Sequence, residues 1–228
     1  MKSTLTNVTL IGLVIVFTMF SCKPGSKYVY PQDENISSNN GIPKKRSINY
    51  FPITTSDANT AVTYDTFHIK LFSKALFKLG EPILYNFYIS KPVIRLTWIR
   101  PSGNPIVLSM EETDGKIQLK ENGFEPMTAA DKAKNPKDTI KRIYRTKALN
   151  FEQKEKLTAL LKKNKFFEMP DKISENTTTG TQAAIEYHDP LNYHLVYRSV
   201  NDSIGPNAFR EICDYIIELS NFKSEKRY

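Results

Sequence analysis

An apolar run near the start of the chain cannot belong to the fold that follows it. Residues 8–20 read VTLIGLVIVFTMF, thirteen apolar, small or hydroxyl side chains behind one early cation, Lys2. A helix needs roughly 20 apolar residues to cross the hydrocarbon core of a bilayer, so this run is too short to span. It has the length of the apolar region of a secretory signal. Polar sequence follows at once in Lys23, Pro24, Gly25 and Ser26. Residues 1–21 therefore read as a signal peptide, and any packed core has to come from the rest of the chain.

The end of the run, Met19-Phe20-Ser21-Cys22, resembles a lipobox. The chemistry needs a small residue at the cleavage point and a thiol to carry the diacylglycerol, and Ser21 and Cys22 supply them. Met19 and Phe20 depart from the usual Leu and small residue. The expectation is a lipoprotein precursor, cleaved before Cys22 and acylated there with chains such as palmitate. Lys23 follows the lipidated position, where an Asp would favour inner-membrane retention. The expected location is thus the cell envelope, at the outer membrane, with the membrane as a partner through the N-terminal lipid.

The chain has only two cysteines. With Cys22 acylated, Cys213 has no partner and no disulfide framework forms. Cys213 shares a helical face with Phe209, Ile212, Ile216 and Ile217, so it reads as a buried thiol. A nucleophilic cysteine needs a polar, electropositive setting instead.

The net formal charge is +8, and it is unevenly spread: residues 131–165 hold twelve Lys or Arg against four Asp or Glu. That segment reads either as a solvated loop and helix face or as a patch for an anionic envelope surface or a protein partner. Lys141, Arg142 and Arg145 are the candidate binding residues. Nucleic acid is not an expected partner, since no nucleic-acid motif is present.

Residues 22–62 are rich in Ser, Asn, Pro, Gly and Thr and show little hydrophobic periodicity, the composition of a flexible tether. Residues 63–222 read as one domain and 223–228 as a tail. Leu76, Phe77 and Leu79 before Gly80 suggest a short helix or turn. Residues 93–100 and 106–110 make a hairpin, residues 116–120 add a third strand, and residues 140–147 a fourth. Residues 122–138 read as a loop, with room for one turn of helix. Asn150 with Gln153 three residues on has the form of a capping box, and Leu157, Leu160 and Leu161 give the helix behind it a buried stripe. Residues 183–188 and 193–200 make a second hairpin, and a last helix runs from Asn207 to about Ser220. The expected fold is α+β: an antiparallel sheet, meander plus hairpin, with two main helices on one face.

Three stretches together resemble a family of small uncharacterised bacterial proteins, a domain of unknown function: RLTWIRPSGNPIVLSME (95–111), KKNKFFEMP (162–170), and YHLVYRSV followed by FREICDYIIELS. Arg95, Trp98, Arg100, Tyr193, His194, Arg198 and Cys213 fall on the positions of that pattern. Tyr197 stands where the family carries an acidic residue. The resemblance implies a single domain and supplies no catalytic residues.

The chemistry that remains is sparse. No HExxH, GxSxG, GxGxxG or phosphate-loop pattern occurs, and no cofactor is implied. Glu111-Glu112 reads as a solvated strand end rather than an acid/base pair. Trp98 reads as a core anchor. In the second hairpin, a two-residue loop would pair His188 with Tyr193 and mix apolar and charged groups on both faces. The hydrophobic pattern favours a three-residue loop of Pro190, Leu191 and Asn192, which would pair His188 with His194. It would gather Ala183, Ile185, Tyr187, Tyr193, Leu195 and Tyr197 on one face. Glu186, His188 and His194 would then share the polar face as a candidate zinc site. The function class expected is a lipid-anchored binding or interaction module of the envelope. The alternative is a hydrolase-like envelope enzyme with a discontinuous site.

Overall fold

The computed structural model describes residues 33–38, 40–52, 66–86, 88–100, 104–134, 137, 140–171, 180–200 and 207–224. The sheet is built by β1 (Val93–Ile99), β2 (Pro105–Thr113), β3 (Lys116–Pro126), β4 (Ile140–Leu149), β5 (Thr181–His188) and β6 (Tyr193–Val200). These six strands lie in the order β4-β3-β2-β1-β5-β6, and each neighbouring pair is antiparallel. The meander β1–β4 and the hairpin β5–β6 join where β5 pairs with β1. Asp114 and Gly115, both with positive φ, form the tight turn between β2 and β3. β3 runs on to Pro126, so the first five residues of the expected loop at 122–138 are strand, and α2 (Ala129–Lys134) follows them.

The register sorts the strand residues into two layers. Ile94, Leu96 and Trp98 stand opposite Met110, Leu108 and Ile106 on one side and Tyr187, Ile185 and Ala183 on the other. This face packs under α3 (Phe151–Lys163) and α4 (Ala208–Leu219), which contribute Leu157, Leu161, Phe209, Ile212, Cys213 and Ile216 to a shared core. Asn150 caps α3: its side chain accepts from the Gln153 amide while Gln153 reaches back to the Asn150 amide. Gly123 lets the layers close, because a Cβ there would stand 3.2 Å from Ile106 and 3.4 Å from Phe222.

The opposite face is also covered, which corrects the expectation of helices on one side only. A third long helix, α1 (Thr66–Lys78), lays Phe72, Ala75 and Leu76 over Ile99, Val107, Ala184, Leu195 and Tyr197. It ends in a Schellman turn, with Gly80 at φ +60°, the Gly80 amide on the Phe77 carbonyl and the Glu81 amide on the Leu76 carbonyl.

The tether is corrected in its described part, residues 33–38 and 40–52. Ile36, Ile48, Tyr50 and Phe51 join this second layer, with Tyr50 and Phe51 fully buried against Phe72 and Leu79. The Tyr50 amide donates to Ser73 Oγ at 3.0 Å, and its phenol donates to the Glu81 carbonyl at 3.0 Å. Asn86 binds the same segment three times: Oδ1 accepts from the Asp33 amide (2.7 Å), and Nδ2 donates to the Asp33 carbonyl (2.9 Å) and to Ser37 Oγ (2.7 Å). These groups sit far apart in sequence, so local periodicity does not mark the segment as part of the core.

Candidate functional site

β1, β2 and β3 each leave an apolar side chain, Ile94, Met110 and Ile117, beneath the stretch of α3 from Lys154 to Lys162. The helix does not cover them completely. The gap is a pocket of about 390 Å³ with Leu161 and Thr158 as its helical wall and Phe167 and Tyr187 closing one end. That volume lies in the range of small-molecule sites, about 300–1,000 Å³, which are concave and mostly apolar with few polar groups.

Chain direction explains the gap. After α3, the chain turns at Lys165 (φ 50°) into a 3-10 turn, Phe166–Glu168. Phe166 is buried beneath that turn, whereas Phe167 is half exposed and stands at the pocket. The Phe167 ring meets Tyr187 edge to face, with centroids 4.9 Å apart. Burial, and then the Asp189 carboxylate that accepts its hydrogen bond, push the Tyr187 phenol up to about 12. The wall it forms is therefore uncharged at neutral pH.

The mouth of the pocket is charged. Lys154, Thr158, Leu161 and Lys162 line it at helical spacing on α3. Glu112 accepts from Lys91 at 2.8 Å and from Lys154 at 3.2 Å, and those two ammonium groups hold its carboxyl below the usual range. Glu111 pairs with Lys120. Glu111-Glu112 is thus a neutralised strand end beside a pocket.

A second, smaller pocket of about 210 Å³ lies on the other face around Arg95, Glu81, Asn122 and Arg142. Its charges hold the fold together. Arg95 is fully buried, with Nε on Glu186 Oε2 at 2.7 Å and Nη1 on the Pro82 carbonyl at 2.6 Å. Desolvation alone would lower the guanidinium, but the Glu186 and Glu81 carboxylates outweigh it and keep Arg95 above its ordinary value. Tyr193 donates to Glu186 Oε1 at 2.8 Å. Asn122 Nδ2 bridges the Leu79 carbonyl (2.8 Å) and Glu81 (2.6 Å), and Arg142 donates to Asn122 Oδ1 (3.2 Å) and to the Leu79 carbonyl. This network ties the end of α1 to the sheet.

The candidate metal site is not assembled, because the hairpin register differs from the expected one. His188 pairs with Tyr193 and Tyr187 with His194, so His188 and His194 leave opposite faces of the sheet. The loop has four residues, and Asp189 sets it: its carboxylate accepts from the amides of Leu191 (2.8 Å) and Asn192 (2.7 Å). The hydrophobic pattern misleads here because both faces of the hairpin are covered. Glu186 and His188 therefore point into a second packed layer and not into water. Glu186 is held by Arg95 and Tyr193. His188 is pushed down to about 4, first by burial. His194 Nε2 lies 2.9 Å from the Phe166 carbonyl, behind the pocket wall. Among the described residues no group of three or more His, Cys, Asp or Glu is placed to hold a metal ion.

The candidate basic patch is dispersed too. Lys141 pairs with Asp131 at 2.7 Å, and Arg145 makes two 2.8 Å bonds to Glu125. Arg142, an odd number of residues from both, leaves the other face into the Asn122 network. Cys22 lies outside the described residues.

Of the residues in the family-like pattern, Arg95 and Tyr193 join the buried network, and Trp98 is a buried anchor as expected. Arg100 braces the Asn104 and Phe124 carbonyls, each at 3.2 Å. Arg198 clamps the carbonyls of Pro170 (2.5 Å) and Asp171 (2.7 Å) below the 3-10 turn. Cys213 is buried among apolar groups, and burial raises its thiol well above the ordinary value, as expected of an unreactive cysteine. Comparison of the chain with family models and with curated proteins gives no match. The case for the pocket therefore rests on its own geometry. Of its lining, the sequence places Ile94, Met110 and Ile117 on strands, Tyr187 on an apolar hairpin face, Leu161 in a helical stripe and Glu111-Glu112 at a strand end, but nothing in it brings them together. The one further signal was the doubled aromatic Phe166-Phe167, of which a single ring fits the core.

Proposed function

We propose that this chain is a lipid-anchored binding module of the bacterial cell envelope, tethered through Cys22 at the outer membrane, and that it takes an apolar ligand in the pocket beneath α3. The observation that carries the binding reading is the pocket itself: 390 Å³ walled by Ile94, Met110, Ile117, Leu161, Phe167 and Tyr187. An unfilled gap of that size forfeits the contacts a packed core would make, so a bound apolar group stabilises it. The anchoring reading rests on the apolar run, Ser21 and Cys22. Among the described residues no helix is long and apolar enough to cross a membrane, and in this reading the lipid supplies the attachment.

A neutral naphthylamine fluorophore tests the binding. It should brighten saturably with the protein at one site, and Thr158→Trp, which places an indole at the mouth from an exposed helix position, should remove that site. An unsaturable response, or one unchanged in the variant, contradicts the pocket's role. Metabolic labelling with a clickable fatty acid tests the anchor: the tag should appear on the wild-type chain and be lost in Cys22→Ser.

A further inference from the structure

Resting on that reading of the pocket, we infer that its ligand is a single-chain amphiphile with an anionic head: the acyl chain lies over Ile94, Met110 and Ile117, and the head sits between Lys154 and Lys162. Size carries the first part. At roughly 30 Å³ per methylene, close to the volume of a water molecule in the liquid, 390 Å³ takes about a dozen carbons, one chain and not two. The lining carries the second part. Its sheet-side chains are aliphatic or aromatic, and its polar groups are Glu112 at the end of β2 and Lys154, Thr158 and Lys162 along α3, so a ligand matching it is apolar against the sheet and polar where it meets the outer edge of α3.

Charge carries the third part. One acid stands on this face at the rim, Glu112, and it is already shared between Lys91 and Lys154. Its neighbour Glu111 leaves the other face of β2, where Lys120 holds it. Three lysines thus surround one carboxylate once Lys162 is added. Lys162 lines the pocket, is exposed and has no acid within ion-pair distance among the described residues. Lys154 and Lys162 lie eight residues apart on one face of α3, with Thr158 midway between them. A cationic head would meet two ammonium groups there, and a neutral head would leave them unmatched.

The test irradiates the full-length protein, in a nonionic maltoside, with diazirine probes of one twelve-carbon chain bearing a carboxylate, an alcohol or a trimethylammonium head. Labelled residues are mapped by mass spectrometry. The inference predicts labelling at Met110, Leu161 and Phe167. The carboxylate should label about tenfold more than the ammonium, with the alcohol between, as expected for two solvent-exposed ion pairs. That preference should shrink at high salt and in Lys154→Gln/Lys162→Gln, surface changes that leave the core intact. Shortening the carboxylate chain should weaken labelling by about fourfold per methylene. Equal labelling by the three heads, or labelling led by the ammonium, overturns the anionic ligand and leaves the pocket as an apolar site. No labelling of the pocket by any probe overturns both.

Discussion

Arg95 on β1 and Glu186 on β5 face each other across neighbouring strands, where the meander meets the second hairpin, both without solvent exposure, with Nε and Oε2 2.7 Å apart. Removing one partner strands a buried charge. Glu186→Gln should destabilise the protein by about 3–5 kcal/mol in urea unfolding, and replacing both, Arg95→Met with Glu186→Leu, should recover much of that loss. A double variant no more stable than Glu186→Gln alone would mean that the pair's hydrogen bonds to Pro82 and Tyr193 matter more than its charges.

Residues 33–38 and 40–52 belong to the folded unit. Phe51 is buried edge to face against Phe72, with centroids 6.1 Å apart. Phe51→Ala should cost about 3–5 kcal/mol, the usual range for a fully buried phenylalanine. A chain starting after residue 52 should lose cooperative unfolding, and an unchanged melting transition would return the segment to the status of a tether.

Much of the architecture was legible because it is locally encoded. Asn150 and Gln153 announce α3, the stripe through Phe209, Ile212, Cys213 and Ile216 announces α4, and alternation marks β1. Non-local facts were not legible. Whether Glu186 and His188 face water depends on the stretch after α1, where Pro82, Leu84 and Ile89 meet Arg95, Val93 and Tyr193, and nothing in its local pattern shows that contact. Tyr50 and Phe51 sit in polar sequence, and their partners Ser73, Glu81 and Phe72 come from later elements. The pocket is a mismatch between α3 and three strands, and no single segment signals it. Lys141, Arg142 and Arg145 looked like one patch because sequence proximity ignores the alternation that sends Arg142 to the other face.

Stability should fall in mild acid through His188. The unfolded chain takes up this proton near 6.5 and the folded chain only near 4, because burial penalises the charged ring. Between those values the unfolded state binds more protons, so the contribution is full above about 6.5 and is lost as the pH falls toward 4. His188→Gln should flatten this part of the curve in denaturant titrations at successive pH values. Parallel curves for the two proteins would show that His188 does not titrate differently on folding.

The pocket beneath α3 is the centre of this account, and Met110 reports on it directly. Met110 lines the pocket, whereas Met127 follows the far end of β3. With [13C]methyl-methionine protein, titration with dodecanoate is predicted to shift the Met110 methyl saturably and leave the Met127 methyl in place. A Met110 methyl that stays fixed through the titration would contradict the binding function.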